Sequence, residues 1–152
     1  MATRMLDLFP RAIVCRHAVR LGSDADTVWA LVGNVGDSRL AEGLVEKIEV
    51  QGHGVGAVRT LHAPGGIRIR ERIEEYSSED RYYVYRVIDS GPFDFTHYLA
   101  TASVQPAGAG HCILMWITTA SAVDGQEEAM RALLDGNIHL VFAGVKKALG
   151  LS

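Results

Sequence analysis

Residues 124–149 read DGQEEAMRALLDGNIHLVFAGVKKAL, which is the longest helical pattern in the chain. Asp124 suits the N-cap position, and Glu127 three residues later completes a capping-box pattern. Two lysines fall in the last turn, where cations are favourable to the helix dipole, and Gly150 can end the helix. The stretch therefore predicts one long helix at the C-terminal end.

The apolar residues of this helix recur mostly at three- and four-residue steps, which predicts a single apolar face. They are Met130, Leu133, Leu134, Leu140, Val141, Val145 and Ala148. Gly136 and Asn137 interrupt that face. An interior helical glycine costs about 1 kcal/mol relative to alanine, and a buried amide needs a partner. We therefore expect part of the face to border a space rather than a solid core.

Composition indicates a single-domain globular protein. The chain has 152 residues, of which 48% are hydrophobic and 22% charged, and this is enough to bury a core. A formal net charge of -3 argues against nucleic acid or an anionic membrane as the main partner. Two distant cysteines favour a reducing cytoplasm, and no apolar run suits membrane insertion. We expect one cytoplasmic domain over residues 1–152, with residues 1–11 as a loose lead-in.

The rest of the chain is dominated by strand patterns. A strand at 12–21 is followed by two short helices, at about 24–32 and 37–42. Six strands in hairpin succession are then predicted at 45–50, 55–62, 67–76, 81–88, 95–104 and 112–121. Short hairpin loops imply antiparallel neighbours, and the sheet must bury one face on the long helix. The prediction is an α+β fold in which a curved antiparallel sheet of about seven strands wraps around that helix.

A symmetric hairpin around residues 63–66 places two charged residues on the apolar face. Paired residue numbers then sum to about 130, so Arg59 lies opposite Glu71. Three arginines alternate to the outer face: Arg68, Arg70 and Arg72. Either charge alone in a core would cost several kcal/mol, so Arg59 and Glu71 must pair or contact a ligand. Two interpretations stay open, a structural ion pair that sets the hairpin register and a polar floor for a ligand.

The next strands contribute aromatic and small residues to the same face. With the register that leaves Arg86 outside, the inner set is Tyr83, Tyr85, Val87, Tyr98, Ala100, Ala102, Val104, Leu114, Trp116 and Thr118. Ala100 and Ala102 are small where a solid core would use larger residues. Together with Gly136 they predict an internal cavity with apolar walls and a few polar groups.

The ordered set of segments resembles the START/Bet v 1-like (SRPBCC) superfamily, in its polyketide cyclase/dehydrase-like group. The segments are residues 26–32, 54–59 and 70–76 with Asn137 in the last helix. The resemblance runs from Cys15 to Leu149. It implies a helix-grip fold whose cavity, between sheet and long helix, takes hydrophobic small molecules.

Plant abscisic acid receptors are similar through residues 56–86. That similarity implies cavity positions for Arg59, Glu71, Tyr85, Tyr98 and Asn137. The chain departs from the receptors at Glu46, which aligns with their carboxylate-binding lysine, and at Trp116, where they carry an acidic group. We therefore do not expect an abscisic acid receptor. The chain has only three lysines, which gives poor support to the Schiff-base-like chemistry of plant alkaloid condensing enzymes.

The expected ligand-binding residues are Arg59, Leu61, Glu71, Tyr85, Val87, Tyr98, Ala100, Trp116, Leu133 and Asn137. Asn137 has two interpretations: it contacts the ligand, or it holds the backbone of a bulged strand. No residue is assigned firmly to catalysis, and the candidates are Glu71, Tyr98 and Arg59. Six scattered histidines show no ligand spacing, so we expect no metal and no cofactor.

Three functions are compatible with the sequence. The first is binding of a small hydrophobic or aromatic partner molecule. The second is a polyketide cyclase/dehydrase-type enzyme, in which Arg59 polarises a carbonyl and Glu71 or Tyr98 moves a proton. The third is a filled cavity, with the protein acting through its surface. A homodimer through an edge strand is compatible with each of them.

Overall fold

The computed structural model describes residues 12–152, so the lead-in expected at 1–11 lies outside the described residues. One antiparallel sheet has the strand order β1-β7-β6-β5-β4-β3-β2. Its strands are β1 (Ala12–Leu21), β2 (Lys47–Gln51), β3 (Val58–Ala63), β4 (Ile67–Ser77), β5 (Tyr82–Asp89), β6 (Phe95–Pro106) and β7 (Cys112–Ala122). The helices are α1 (Ala25–Val32) and α2 (Glu127–Ala148), with 3₁₀ turns at Ser38–Ala41 and Pro64–Gly66. This confirms the α+β helix-grip fold.

Helix α1 begins where the sequence predicts, because Asp24 caps it. The Asp24 Oδ1 atom accepts a hydrogen bond from the Thr27 backbone N–H at 2.9 Å. Trp29 on this helix is a core residue, and its ring centroid lies 5.6 Å from that of Tyr76 on β4. The Tyr76 hydroxyl donates to the Gly33 carbonyl at 2.8 Å. Helix α1 is thereby joined to the sheet through aromatic packing and one hydrogen bond.

Helix α2 does not begin at the predicted cap. Its N-cap is Gln126 instead of Asp124, and no side-chain hydrogen bond from the described residues caps it. Gly125 has a φ of 83°, and the Gln126 N–H donates to the Val123 carbonyl at 2.9 Å. Asp124 and Gly125 therefore form the corner of a tight turn that precedes the helix. The other end agrees with the prediction, since Gly150 follows the helix with a φ of 67°.

The buried face of α2 differs from the predicted face in its middle. Its buried residues are Met130, Leu134, Ile138, Val141, Phe142, Gly144 and Val145. The prediction is wrong at Leu140, which is 42% exposed, and at Gly136, which is also exposed. Successive helical residues are about 100° apart, so Gly136 lies about 200° around the axis from Leu134. Gly136 therefore faces away from the sheet and does not border a cavity.

Gly144 is the position at which α2 requires a glycine. A Cβ atom there would lie 2.6 Å from the Arg39 backbone oxygen, whereas a Cβ atom at Gly136 would meet nothing within 4 Å. We expect Gly144→Ala to lower the free energy of unfolding by about 1–3 kcal/mol, because backbone atoms must move apart. Gly136→Ala should raise it by up to about 1 kcal/mol through helix propensity. Urea unfolding measures both, and equal effects would contradict the close contact.

The central hairpin has the predicted register. Arg59 pairs with Glu71, as residue numbers that sum to 130 require, while Arg68 and Arg70 are exposed on the other face. Strand β3 is shorter than predicted and begins at Val58. Within residues 12–152, no helix is both long enough and apolar enough to span a membrane.

Candidate ligand-binding site

A cavity of about 320 Å³ lies between the sheet and α2. Its walls come from β2 to β7, from α2, from the 3₁₀ turn at Ser38–Ala41, and from the loops that precede β2 and β6. This volume lies at the lower end of the range of about 300–1,000 Å³ that is typical of small-molecule pockets. The interpretation that the cavity is filled is therefore wrong.

The structure brings nearly all of the expected site residues to this cavity. Those that line it are Arg59, Leu61, Glu71, Tyr85, Val87, Tyr98, Trp116, Leu133 and Asn137. Ala100 is the exception, because it is fully buried but does not contribute to the lining.

Aromatic side chains from the two neighbouring strands account for the position of Ala100. Strand β6 lies between β5 and β7, and the Trp116 indole Nε1 on β7 donates to the Tyr85 hydroxyl on β5 at 3.1 Å. Ala100 pairs with Tyr85, and Ala102 pairs with Trp116, so this hydrogen bond crosses β6 above the two alanines. The alanines make room for that aromatic contact. This corrects the prediction that they border the cavity.

The charged floor of the cavity is the pair formed by Arg59 and Glu71. Arg59 Nε donates to Glu71 Oε2 at 2.5 Å, and Arg59 Nη1 donates to the Val35 carbonyl at 3.1 Å. The guanidinium carbon also lies 4.6 Å from the centroid of the Tyr85 ring, within the range of a cation–π contact. Burial alone would lower the pKa of Arg59, but the negative charge of Glu71 raises it above its ordinary value. The guanidinium therefore stays charged.

Two tyrosines lie beside this pair. The ring centroids of Tyr85 and Tyr98 are 6.4 Å apart. Burial raises the pKa of both hydroxyls above the ordinary value, and for Tyr98 the charge of Glu71 adds to the effect. Both tyrosines therefore remain neutral hydrogen-bond donors near pH 7. A group with such a raised pKa is a weak general acid, because proton transfer is most efficient when the pKa is near the working pH.

The raised tyrosine pKa values predict a loss of stability in alkaline solution. The unfolded chain releases phenolic protons from about pH 10, whereas the folded chain keeps them. The stabilisation that comes from the neutral, buried tyrosines is thus complete below about pH 10, and it is lost as the pH rises toward the folded-state pKa. Tyr98→Phe should reduce this loss by up to about 1.4 kcal/mol per pH unit. Thermal unfolding of the wild type and of Tyr98→Phe between about pH 8 and pH 11 measures the difference. If the stability of both proteins fell equally with pH, burial would not be the cause of the loss.

Asn137 reaches the cavity from α2. Its side-chain amide makes no hydrogen bond with any residue between 12 and 152. The interpretation that it holds the backbone of a bulged strand therefore has no contact in the described part of the chain to support it. The amide offers both a donor and an acceptor at the cavity wall.

The lysines and histidines contribute nothing to this cavity. All three lysines lie in the described part of the chain and outside the lining, and two of them form surface ion pairs, Lys47 with Glu49 and Lys147 with Glu42. His17 does lie close to a second histidine, at 5.7 Å between ring centroids. Even so, no three His, Cys, Asp or Glu residues of the described chain are grouped so that they could hold a metal ion.

Sequence patterns missed the part of the lining that comes from loops. Leu44 and Val45 before β2, and Ser90 and Phe93 before β6, all line the cavity and are partly exposed. Loops have no periodicity, so sequence patterns could not identify these residues as part of the lining. Ile69 is different, because alternation along β4 places it on the same face as Glu71 and could have identified it.

The model of the family described as polyketide cyclase / dehydrase and lipid transport matches residues 15–150. The chain belongs to this family. The match covers most of the sequence and confirms the START/Bet v 1-like superfamily that the sequence resembles. No curated protein gives a significant match.

Solved structures of other proteins have the same fold. XoxI from Bacillus cereus is 24% identical with a TM-score of 0.80, over 89% of this chain and 94% of that chain. A norcoclaurine synthase from Thalictrum flavum is 22% identical with a TM-score of 0.75, over 92% and 95%. The Zhui aromatase/cyclase from a Streptomyces species is 18% identical with a TM-score of 0.76, over 91% and 96%. At these identities the similarity shows the family's fold and no particular activity.

Proposed function

We propose that the protein binds a small hydrophobic or aromatic molecule in the cavity between the sheet and α2. The supporting observation is a cavity of about 320 Å³ with largely apolar walls, into which a few polar side chains converge. Arg59, Glu71, Tyr98 and Asn137 are among the residues that supply these polar groups. Pockets of this composition bind small molecules by apolar contact and use their polar groups to orient them.

The electrostatics of the cavity favour binding over turnover. Glu71 is held by Arg59 at 2.5 Å, and the pKa of Tyr98 is raised by burial and by the charge of Glu71. The Tyr98 hydroxyl is therefore a weak general acid at neutral pH, and one oxygen of Glu71 is already engaged by Arg59. A carrier, a store or a sensor needs only the cavity.

Native mass spectrometry of the purified protein tests this proposal. We expect a stoichiometric small molecule that stays with the folded chain and is released on denaturation. Ligand-observed NMR with a panel of neutral aromatic compounds extends the test to a protein purified empty. A chain that carries nothing and binds no member of the panel would contradict the proposal.

A polyketide cyclase/dehydrase-type activity is the second candidate, and the family match favours it. In this function Arg59 polarises a substrate carbonyl, and Glu71 accepts or returns a proton through Oε1, the oxygen to which no described residue donates a hydrogen bond. A depletion assay with aromatic polyketide intermediates separates the two functions. Turnover that Glu71→Gln abolishes would establish the enzyme, and binding without turnover would establish the carrier.

We also keep a cytoplasmic location and a homodimer as predictions. Strands β1 and β2 are the two edges of the sheet, so they are the candidates for strand pairing between copies. Light scattering coupled to size-exclusion chromatography measures the oligomeric state directly.

A further inference from the structure

The two charged side chains of the cavity have opposite charges and lie in contact. Arg59 and Glu71 form the ion pair on its floor, and no other lining residue from 12–152 has a charged side chain at neutral pH. Both members are almost fully buried. The two tyrosines of the lining stay neutral because burial raises their pKa. A ligand in this cavity therefore meets no uncompensated charge.

An ionised ligand would gain little from this floor and would lose its hydration. A carboxylate that approaches Arg59 also approaches Glu71, which is 2.5 Å from the same guanidinium. A cation that approaches Glu71 meets Arg59 in the same way. A charge that leaves water without a free counter-charge is strongly disfavoured.

Two hydrogen-bonding groups at the cavity have no partner among the described residues, and they suit a neutral ligand that carries a hydrogen-bond donor. Glu71 Oε1 accepts no hydrogen bond from the described residues, and the Asn137 amide across the cavity has no side-chain partner among them. The apolar and aromatic side chains around them, such as Phe95 and Trp116, suit a flat ring system. An O–H or N–H group of a ligand can donate to Glu71 Oε1 while a second polar atom faces Asn137.

We propose that the ligand is an uncharged aromatic molecule with a hydroxyl or amide donor, and that the Arg59–Glu71 pair excludes carboxylates and amines. This inference rests on the proposed binding function and specifies its ligand class. The ion pair then acts as a selectivity element, because each of its charges repels the ions that the other would attract.

Three naphthalene probes of similar size test the charge preference at about pH 7.5. They are naphthalene-2-carboxamide, naphthalene-2-carboxylate and 2-naphthylmethylammonium, and isothermal titration calorimetry measures each affinity. We expect the carboxamide to bind at least about 10-fold more tightly than either ion. An ion that binds as tightly as the carboxamide would overturn the selectivity and leave the binding function intact. Failure of all three to bind would overturn both.

Glu71→Gln changes the preference in a defined direction. It removes the negative partner of Arg59 while it keeps the shape of the side chain, so the affinity for the carboxylate should rise at least about 10-fold relative to that for the carboxamide. Glu49→Gln is the matched control, since Glu49 is an exposed residue outside the lining, and it should leave the ratio unchanged. An unchanged ratio in Glu71→Gln, measured on protein shown to be folded by circular dichroism, would overturn the role of the ion pair.

Discussion

Glu71→Ala is expected to lower the free energy of unfolding by about 3–5 kcal/mol. The substitution leaves Arg59 buried without its carboxylate, and breaking a buried ion pair from one side costs about this much. The remaining contacts of Arg59, to the Val35 carbonyl and to the rings of Tyr83 and Tyr85, do not supply a counter-charge. Chemical denaturation followed by circular dichroism measures the effect.

A double variant shows whether this cost comes from the ion pair. Replacing both charges together, as in Arg59→Met with Glu71→Leu, should restore most of the stability, because two apolar residues leave no buried charge. Glu49→Ala is the surface control, since Glu49 pairs with Lys47 where solvent screens both charges, and its effect should be small. If the double variant were as unstable as Glu71→Ala, the interpretation as an uncompensated charge would be wrong.

The same double variant separates a structural role of the pair from a ligand-contacting role. A purely structural pair lets the double variant bind small aromatic molecules like the wild type. A pair that orients the ligand makes binding weaker even when stability is restored. Both interpretations follow from the sequence, and ligand affinity in the stable double variant distinguishes them.

Val87→Trp is expected to reduce ligand affinity by at least about 100-fold. Val87 lies on β5 and lines the cavity, so an indole at this position occupies space in a cavity of only about 320 Å³. Naphthalene-2-carboxamide and any molecule that co-purifies with the wild type are suitable probes in calorimetry. We expect the variant to be purified without a bound molecule.

Ile88→Trp is the matched control for this experiment. Ile88 is the next residue of the strand, is 39% exposed, and does not line the cavity. The two variants add the same side chain to neighbouring positions, and we expect the control to bind like the wild type. Equal affinities in the two variants would place the ligand outside this cavity.

Strand alternation was sufficient to identify the centre of the site. A hairpin with short loops has a defined register, and the side-chain period of two then sends Arg59 and Glu71 to one face and Arg68 and Arg70 to the other. The same rule placed Tyr85 on the inner face. These predictions succeeded because each depends only on local geometry and on pairing between strands that are neighbours in the sequence.

The rotation of α2 about its axis was not available from the sequence. The pattern of apolar residues suggested a face that includes Gly136 and Leu140, but the sheet selected one centred on Leu134, Ile138 and Val141. A helix with apolar residues around much of its circumference can dock in more than one rotation. Packing against the sheet and the 3₁₀ turn, including the close approach at Gly144, selects one of them.

The sequence by itself determined the order of the elements, the family, the hairpin register and the position of Arg59 opposite Glu71 on the inner face. The tertiary structure decided which inner-face residues border the cavity. Ala100 is covered by the Tyr85–Trp116 contact across β6, while Leu44 and Phe93 reach the cavity from loops. The physical reason is that a cavity is the volume that side chains from distant segments leave unfilled. Periodicity describes one segment at a time, so it cannot specify that volume.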